Sequence, residues 1–87
     1  AAKTGVTVNS VCPGYTDTNL VAEAVGNIVA KTGQTAEDAR AALANMAPIG
    51  RLIRPTEVAE TVAWLCLPSS AAITGQAIVV AGGAVTN

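Results

Sequence analysis

The chain has 87 residues, with five Lys and Arg against six Asp and Glu, no His, and a formal net charge of -1. That balance excludes a basic footprint for nucleic acid, and Tyr15 and Trp64, the two aromatic residues, do not make a platform on which bases stack. Charged residues interrupt every apolar run short of the ~18 residues needed to cross a membrane, although 51% of the chain is hydrophobic.

With no His and no CxxC spacing, no metal site is expected. Cys12 and Cys66 sit far apart in apolar surroundings and read as buried thiols of a reducing compartment rather than as a disulfide. The first residues do not form a charged region followed by an apolar one, so no secretory leader is read there. The expected location is cytoplasmic. Most of the apolar content is Ala and Val, which pack in thin layers with few large anchors. Such a chain is expected to bury its faces against something larger.

Val6, Val8 and Val11 alternate with polar positions and predict a strand over about 6–12. Pro13 is expected to end it, because proline cannot donate to a central ladder. Gly14 follows where the backbone turns tightly or lies close to another molecule. From about 19 to 31 the period becomes helical, with Leu20, Val21, Ala24, Val25, Ile28 and Val29 on one stripe. Gly33 is placed to end that helix in a left-handed conformation. Thr35 caps a second helix over about 35–46, whose apolar face is Ala39, Ala42, Leu43 and Met46. After a turn at Pro48–Arg51, Pro55 opens a third helix over about 55–67, with Glu57 favouring its positive end and Val58, Ala59, Val62, Leu65 and Cys66 on its buried side. A last strand is expected over about 76–80, ended by Gly82-Gly83. Strand, three helices, strand is an α/β order, and parallel pairing through a right-handed crossover is its simplest solution. Two strands leave faces and edges open, so the pattern reads as a piece of a bigger sheet.

Several pieces in this order resemble one family: Val8-Asn9-Ser10-Val11-Cys12-Pro13-Gly14-Tyr15 with Thr18, Pro48 to Arg51, Arg54-Pro55-Thr56-Glu57-Val58-Ala59, Ile73-Thr74-Gly75-Gln76, and Gly82-Gly83. Together they are similar to the C-terminal third of a short-chain dehydrogenase/reductase. The resemblance implies the C-terminal part of a doubly wound, Rossmann-type parallel sheet, with residues 1–87 a fragment of a single nucleotide-binding oxidoreductase domain. It also implies that the glycine-rich pyrophosphate turn, the catalytic Asn and Ser and the Tyr-xxx-Lys pair lie upstream. No catalytic residue is therefore assigned here, and the segment alone is expected to be inactive. The family often has Asp before the terminal Gly-Gly, where this chain has Ala81.

Open parallel sheets bind ligands beyond the carboxyl ends of their strands, which is where Pro13-Gly14 lies. The resemblance assigns NAD or NADP binding to Pro13, Gly14, Tyr15, Thr16 and Thr18. Backbone groups of Tyr15 and Thr16 would hold the nicotinamide carboxamide, and the Thr18 hydroxyl would lie near the pyrophosphate. From pattern alone, Pro-Gly is equally an ordinary turn and Thr18 a helix cap. Tyr15, Leu20, Val21 and Val25 are candidates for a substrate pocket, against the plainer reading of the aliphatic residues as core. Arg51 either ties loops together or steers an acidic substrate, Glu57 is a helix-start residue, and Asp17 is a cap or surface acid. Helix 55–67 and strand 76–80 are implied to join copies of the chain in a tetramer. Two functions remain: part of an NAD(P)-dependent oxidoreductase acting on a carbonyl or alcohol, or a non-catalytic assembly module without cofactor.

Overall fold

The computed structural model describes residues 4–84. Strand β1 is Ser10–Pro13, helix α1 Asn19–Thr32, helix α2 Ala36–Ala44, helix α3 Pro55–Leu65 and strand β2 Ala77–Val80, with a short 3-10 turn at Pro68–Ser70. The strands pair in parallel, Ser10 opposite Ala77 through Pro13 opposite Val80. This is an α/β arrangement around a two-stranded parallel sheet, and all three helices lie in the crossover.

β1 starts later than the expected 6–12 and includes Pro13. Both differences have hydrogen-bond causes. Asn9 uses its side-chain amide as a surrogate peptide: Nδ2 donates to the Ile73 carbonyl at 3.0 Å and Oδ1 accepts from the Gln76 N–H at 3.0 Å. Val8 donates to the Thr74 hydroxyl and accepts from the Gly75 N–H. Residues 8 and 9 therefore clamp the loop before β2 and set the register, and the regular ladder begins only at Ser10. At the other end, Ser10 and Gly14 donate to the carbonyls of Gln76 and Val80. By strand alternation the nitrogen of Pro13 lies on the opposite edge, where its missing N–H costs the ladder nothing.

The main core lies between α1 and α2. Val21, Val25, Ala39, Leu43 and Leu52 are buried together, with Ala24, Ile28, Val29 and Ala44 packed around them. Gly33 takes the left-handed conformation that ends α1, at φ 72°. The Thr35 hydroxyl caps α2 by accepting from the Asp38 N–H at 3.1 Å. α2 stops at Ala44, so Met46 leaves the helical face and is exposed, as is Ala42. Leu20, at the open end of α1, is 75% exposed.

The stripe expected to bury α3 is covered only in part: Val58 and Leu65 are half-buried, Ala59 and Val62 are exposed, and α3 has no fully buried residue. Cys66 is exposed and Cys12 half-buried, a correction to their reading as core thiols. The strands, read as covered on both faces, hold only exposed and half-buried residues: Val11 and Cys12 are half-buried in β1, and β2 alternates between the two states. The common cause is shape. The Cα radius of gyration is 16.4 Å and the extents are 55 × 22 × 19 Å, where a compact chain of this length has a radius of about 12 Å. Apolar faces spread over so long a body cannot all meet one another.

Candidate functional site

Gly14 lies where β1 ends, and its conformation is ordinary: it is not among the glycines with positive φ. Its reason is close approach. A Cβ there would stand 3.0 Å from Ala81 Cβ and 3.1 Å from Ala81 Cα, and Ala81 is 3% exposed. The two strand ends are thus pressed together by a pair of small residues. Sequence reading offered a tight turn or closeness to another molecule for Gly14; the close approach seen is to the chain's own Ala81.

Beyond Gly14 the chain bends at Tyr15 and again at Asp17, and between them Thr16 bridges Ile53 in parallel. Ile53 donates to the Tyr15 carbonyl at 2.9 Å, and Asp17 donates to the Ile53 carbonyl at 2.9 Å. The Tyr15 carbonyl is therefore engaged. By alternation the N–H and C=O of Thr16 face the opposite edge, and among the described residues neither has a hydrogen-bond partner. The Thr16 hydroxyl donates to the Gly14 carbonyl at 3.0 Å and stiffens the turn. Thr18 occupies the N-cap of α1, yet its side chain makes no capping bond. A cap was the plain explanation for that hydroxyl, and the geometry does not provide it.

These groups open on a cleft of about 540 Å³, walled by Pro13 to Thr16 and Thr18 on one side and by Leu20, Val21 and Ala24 of α1 on another. Pro55 and Val58 of α3 close it. Every candidate cofactor residue therefore borders one hollow, together with Tyr15, Leu20 and Val21 of the candidate substrate set. Val25 does not line this cleft; it lies one turn further along α1, buried against α2. Pro55 and Val58 were missed by sequence reading. The extended bias of the residue before Pro55 hinted at a segment able to bridge, and Arg54 is indeed extended, but nothing in the sequence named Thr16 as its neighbour.

The charged residues stand aside from this cleft. Arg51 forms a two-pronged pair with Glu57, Nη1 to Oε1 at 2.6 Å and Nη2 to Oε2 at 3.0 Å, and Nη1 also donates to the Leu52 carbonyl. Glu57 accepts in addition from the Arg54 N–H at 2.9 Å, closing the start of α3. The Arg51 hydrogen bonds, then that backbone bond, hold the Glu57 carboxyl down from 4.5 to about 2. The pairing correspondingly raises Arg51. Of the two readings of Arg51, loop-tying is the one this geometry supplies. Asp17 pairs with Arg40 of α2 at 2.8 Å, linking the turn to the second helix. Among the described residues no cluster of acids and thiols could hold a metal ion, and no helix is long and apolar enough to cross a membrane.

The family model described as enoyl-(acyl carrier protein) reductase matches residues 1–85. The chain belongs to the short-chain dehydrogenase/reductase family. It is 44% identical over 82 residues to cis-4-hydroxycyclohexanecarboxylate dehydrogenase of Sinomonas cyclohexanicum, covering 94% of this chain and 28% of that protein. A tropinone reductase homolog of Arabidopsis thaliana is 38% identical over 86 residues, covering 99% and 28%. Among solved structures, a short-chain dehydrogenase family protein from Francisella tularensis superposes with a TM-score of 0.88 at 32% identity, covering 93% of this chain and 34% of that one. A variant actinorhodin polyketide ketoreductase solved with NADPH gives 0.83 at 42% identity, covering 93% and 31%. This short-chain dehydrogenase/reductase segment thus spans about a third of the length of the relatives it matches.

Proposed function

We propose that this chain supplies the nicotinamide-side wall, part of the substrate enclosure and an assembly face of an NAD(P)-dependent oxidoreductase acting on a carbonyl or alcohol. The observation that carries the proposal is an apolar cleft lined by Thr16, whose peptide N–H and C=O have no partner among the described residues, and by Thr18, whose side chain makes no capping bond. A carboxamide offers one acceptor and one two-hydrogen donor. The Thr16 N–H and C=O satisfy both without charge, while the hydrocarbon walls from α1 and α3 accept a flat ring and exclude water. The residues present therefore fit a nicotinamide. When bound, that group supplies a hydride for the carbonyl carbon, or takes one from the alcohol. Fixing the amide fixes which ring face meets the substrate.

Within this reading the Asp17–Arg40 pair ties the cofactor turn to α2. The residues that transfer the proton are assigned outside this segment, and residues 1–87 alone turn nothing over. The exposed apolar surface of α3 and β2, including Val62, Trp64 and Val79, is assigned to contact between copies of the protein. The free thiols Cys12 and Cys66 suit the cytoplasm.

The full gene product is to be titrated with NADPH and NADH and then assayed with a ketone panel at the reduced-cofactor absorbance band. Saturable binding and ketone-dependent loss of absorbance are expected. A folded protein that binds neither nucleotide and oxidises none would overturn the proposal in favour of a non-catalytic module.

A further inference from the structure

Segment 51–54 holds the turn at Thr16, and it is itself held by one carboxylate. Glu57 Oε1 accepts from Arg51 Nη1 at 2.6 Å and from the Arg54 N–H at 2.9 Å, and Oε2 accepts from Arg51 Nη2 at 3.0 Å. Arg51 Nη1 also donates to the Leu52 carbonyl at 3.2 Å. The Glu57 N–H donates back to the Arg54 carbonyl at 2.9 Å. Both ends of this strap are therefore fixed to the start of α3. Between them lies Ile53, 3% exposed, whose peptide groups bond Tyr15 and Asp17 on either side of Thr16. Those two bonds take the carbonyl before Thr16 and the N–H after it, and leave the Thr16 peptide groups without a partner among the described residues.

The same carboxylate closes the start of α3, and Pro55 and Val58 of that helix wall the cleft that Thr16 lines. Glu57 and Arg51 line no part of the cleft, yet they fix two of its walls relative to each other. A second ion pair, Asp17 with Arg40, also reaches this turn. It is a single contact between side chains 46% and 54% exposed, and pairs of that kind contribute little. The Arg51–Glu57 pair is two-pronged, its side chains are 37% and 32% exposed, and its carboxylate is shared with a backbone N–H. Such a fork fixes direction as well as distance. The clamp is the pair able to hold a geometry.

We propose that Glu57, acting through Arg51 and the strap, is a positioning residue for the nicotinamide end of the cofactor, aligning the Thr16 peptide groups with the wall formed by Pro55 and Val58. The inference rests on the oxidoreductase reading, because it needs a nicotinamide beside Thr16. It goes beyond a helix-start role for Glu57. A cap stabilises α3 alone, whereas a positioning residue alters recognition of one end of one ligand.

The test separates the two ends of the ligand. The full gene product and its Glu57→Gln and Arg51→Lys variants are titrated with NADPH and with 2′-phospho-ADP-ribose, which lacks the nicotinamide. NADH and ADP-ribose form the matching second pair. Glu57→Gln keeps an acceptor for the Arg54 N–H, and Arg51→Lys keeps the positive charge, so each loosens the clamp without emptying it. Dinucleotide binding is expected to weaken about 3–10-fold in both variants, the worth of one hydrogen bond, while the nicotinamide-free ligand changes by less than about twofold. Hydrogen exchange is expected to quicken at the Asp17 and Ile53 amides. Dinucleotide affinity unmoved in both variants, or parallel losses for the two ligands, overturns the positioning role and leaves the oxidoreductase reading standing. Wild-type protein that binds neither dinucleotide overturns both.

Discussion

The close approach of Gly14 to Ala81 is the sharpest constraint on the site, and Gly14→Ala tests it. The new methyl would arrive 3.0 Å from Ala81 Cβ and 3.1 Å from its Cα, where carbon atoms at rest stand about 3.5–4.0 Å apart. Relief requires a shift of roughly half an ångström, and one of the opposing atoms is backbone in a buried residue. Overpacking of this kind costs about 1–3 kcal/mol. The substitution carries no φ penalty, since Gly14 does not occupy the left-handed region, and the lower chain entropy of Ala in the unfolded state offsets only about 0.4–1 kcal/mol of the packing cost. Urea unfolding of the full gene product is the assay, read as a lower midpoint at constant slope. Ala81→Gly in the same background removes the methyl-methyl overlap but leaves the new methyl crowded against the backbone of residue 81, so the double variant is expected to recover part of the loss. A coupling of about 0.5–2 kcal/mol is the range for touching residues. Because Thr16 follows two residues later, nucleotide affinity should fall with the same substitution. A change below about 0.5 kcal/mol, the level of an ordinary surface substitution, with no coupling to Ala81, would refute the close-approach argument.

Thr18→Ala removes a hydroxyl that caps nothing in α1, so the melting temperature is expected to stay within a degree or two. Nucleotide affinity drops about 2–10-fold, the worth of one hydrogen bond; equal binding in a fluorescence titration contradicts the assigned role. Glu57 has its folded pKa depressed to about 2 from 4.5. Its contribution to stability is therefore full above about pH 4.5 and lost as pH falls toward 2. Glu57→Gln should flatten the acid limb of the stability curve in that window, and an unchanged limb contradicts the pairing. Asn9→Ala removes both side-chain bonds that hold the loop at Ile73 and Gln76, at about 1–3 kcal/mol. Hydrogen exchange should then quicken in β2 before it does in α1 or α2. Trp64→Ala, at a half-exposed position on α3, is expected to weaken self-association in sedimentation, and an identical distribution of species refutes the assembly face.

What sequence reading captured and what it missed divide along the range of the interaction involved. Periodicity placed the three helices because each is set by neighbours three and four residues apart, and Thr35 and Gly33 were legible because caps act within one turn. The Pro13-to-Thr18 turn was legible for a similar reason: a strand end, a proline and a glycine mark it locally. Misreadings arose where a partner is distant in the chain. Nothing near Asn9 announces that its amide will pair with residues 73 and 76 and so delay the ladder. Nothing near Thr16 announces Ile53, and this pairing decides which peptide edge stays free for a ligand. Cys66 and the α3 stripe were read as buried because apolar pattern reports the desire for cover and not its source. In an elongated body with a 16.4 Å radius of gyration, that cover is incomplete among the described residues. The same reasoning explains why Val25 is buried in the core while Leu20 and Val21 line the cleft. All three share the apolar stripe of α1, but the cleft opens over its first turns and α2 closes over the next. Sequence gives the stripe, and only the crossing of α2 decides which part of it faces the cleft and which part faces Leu43.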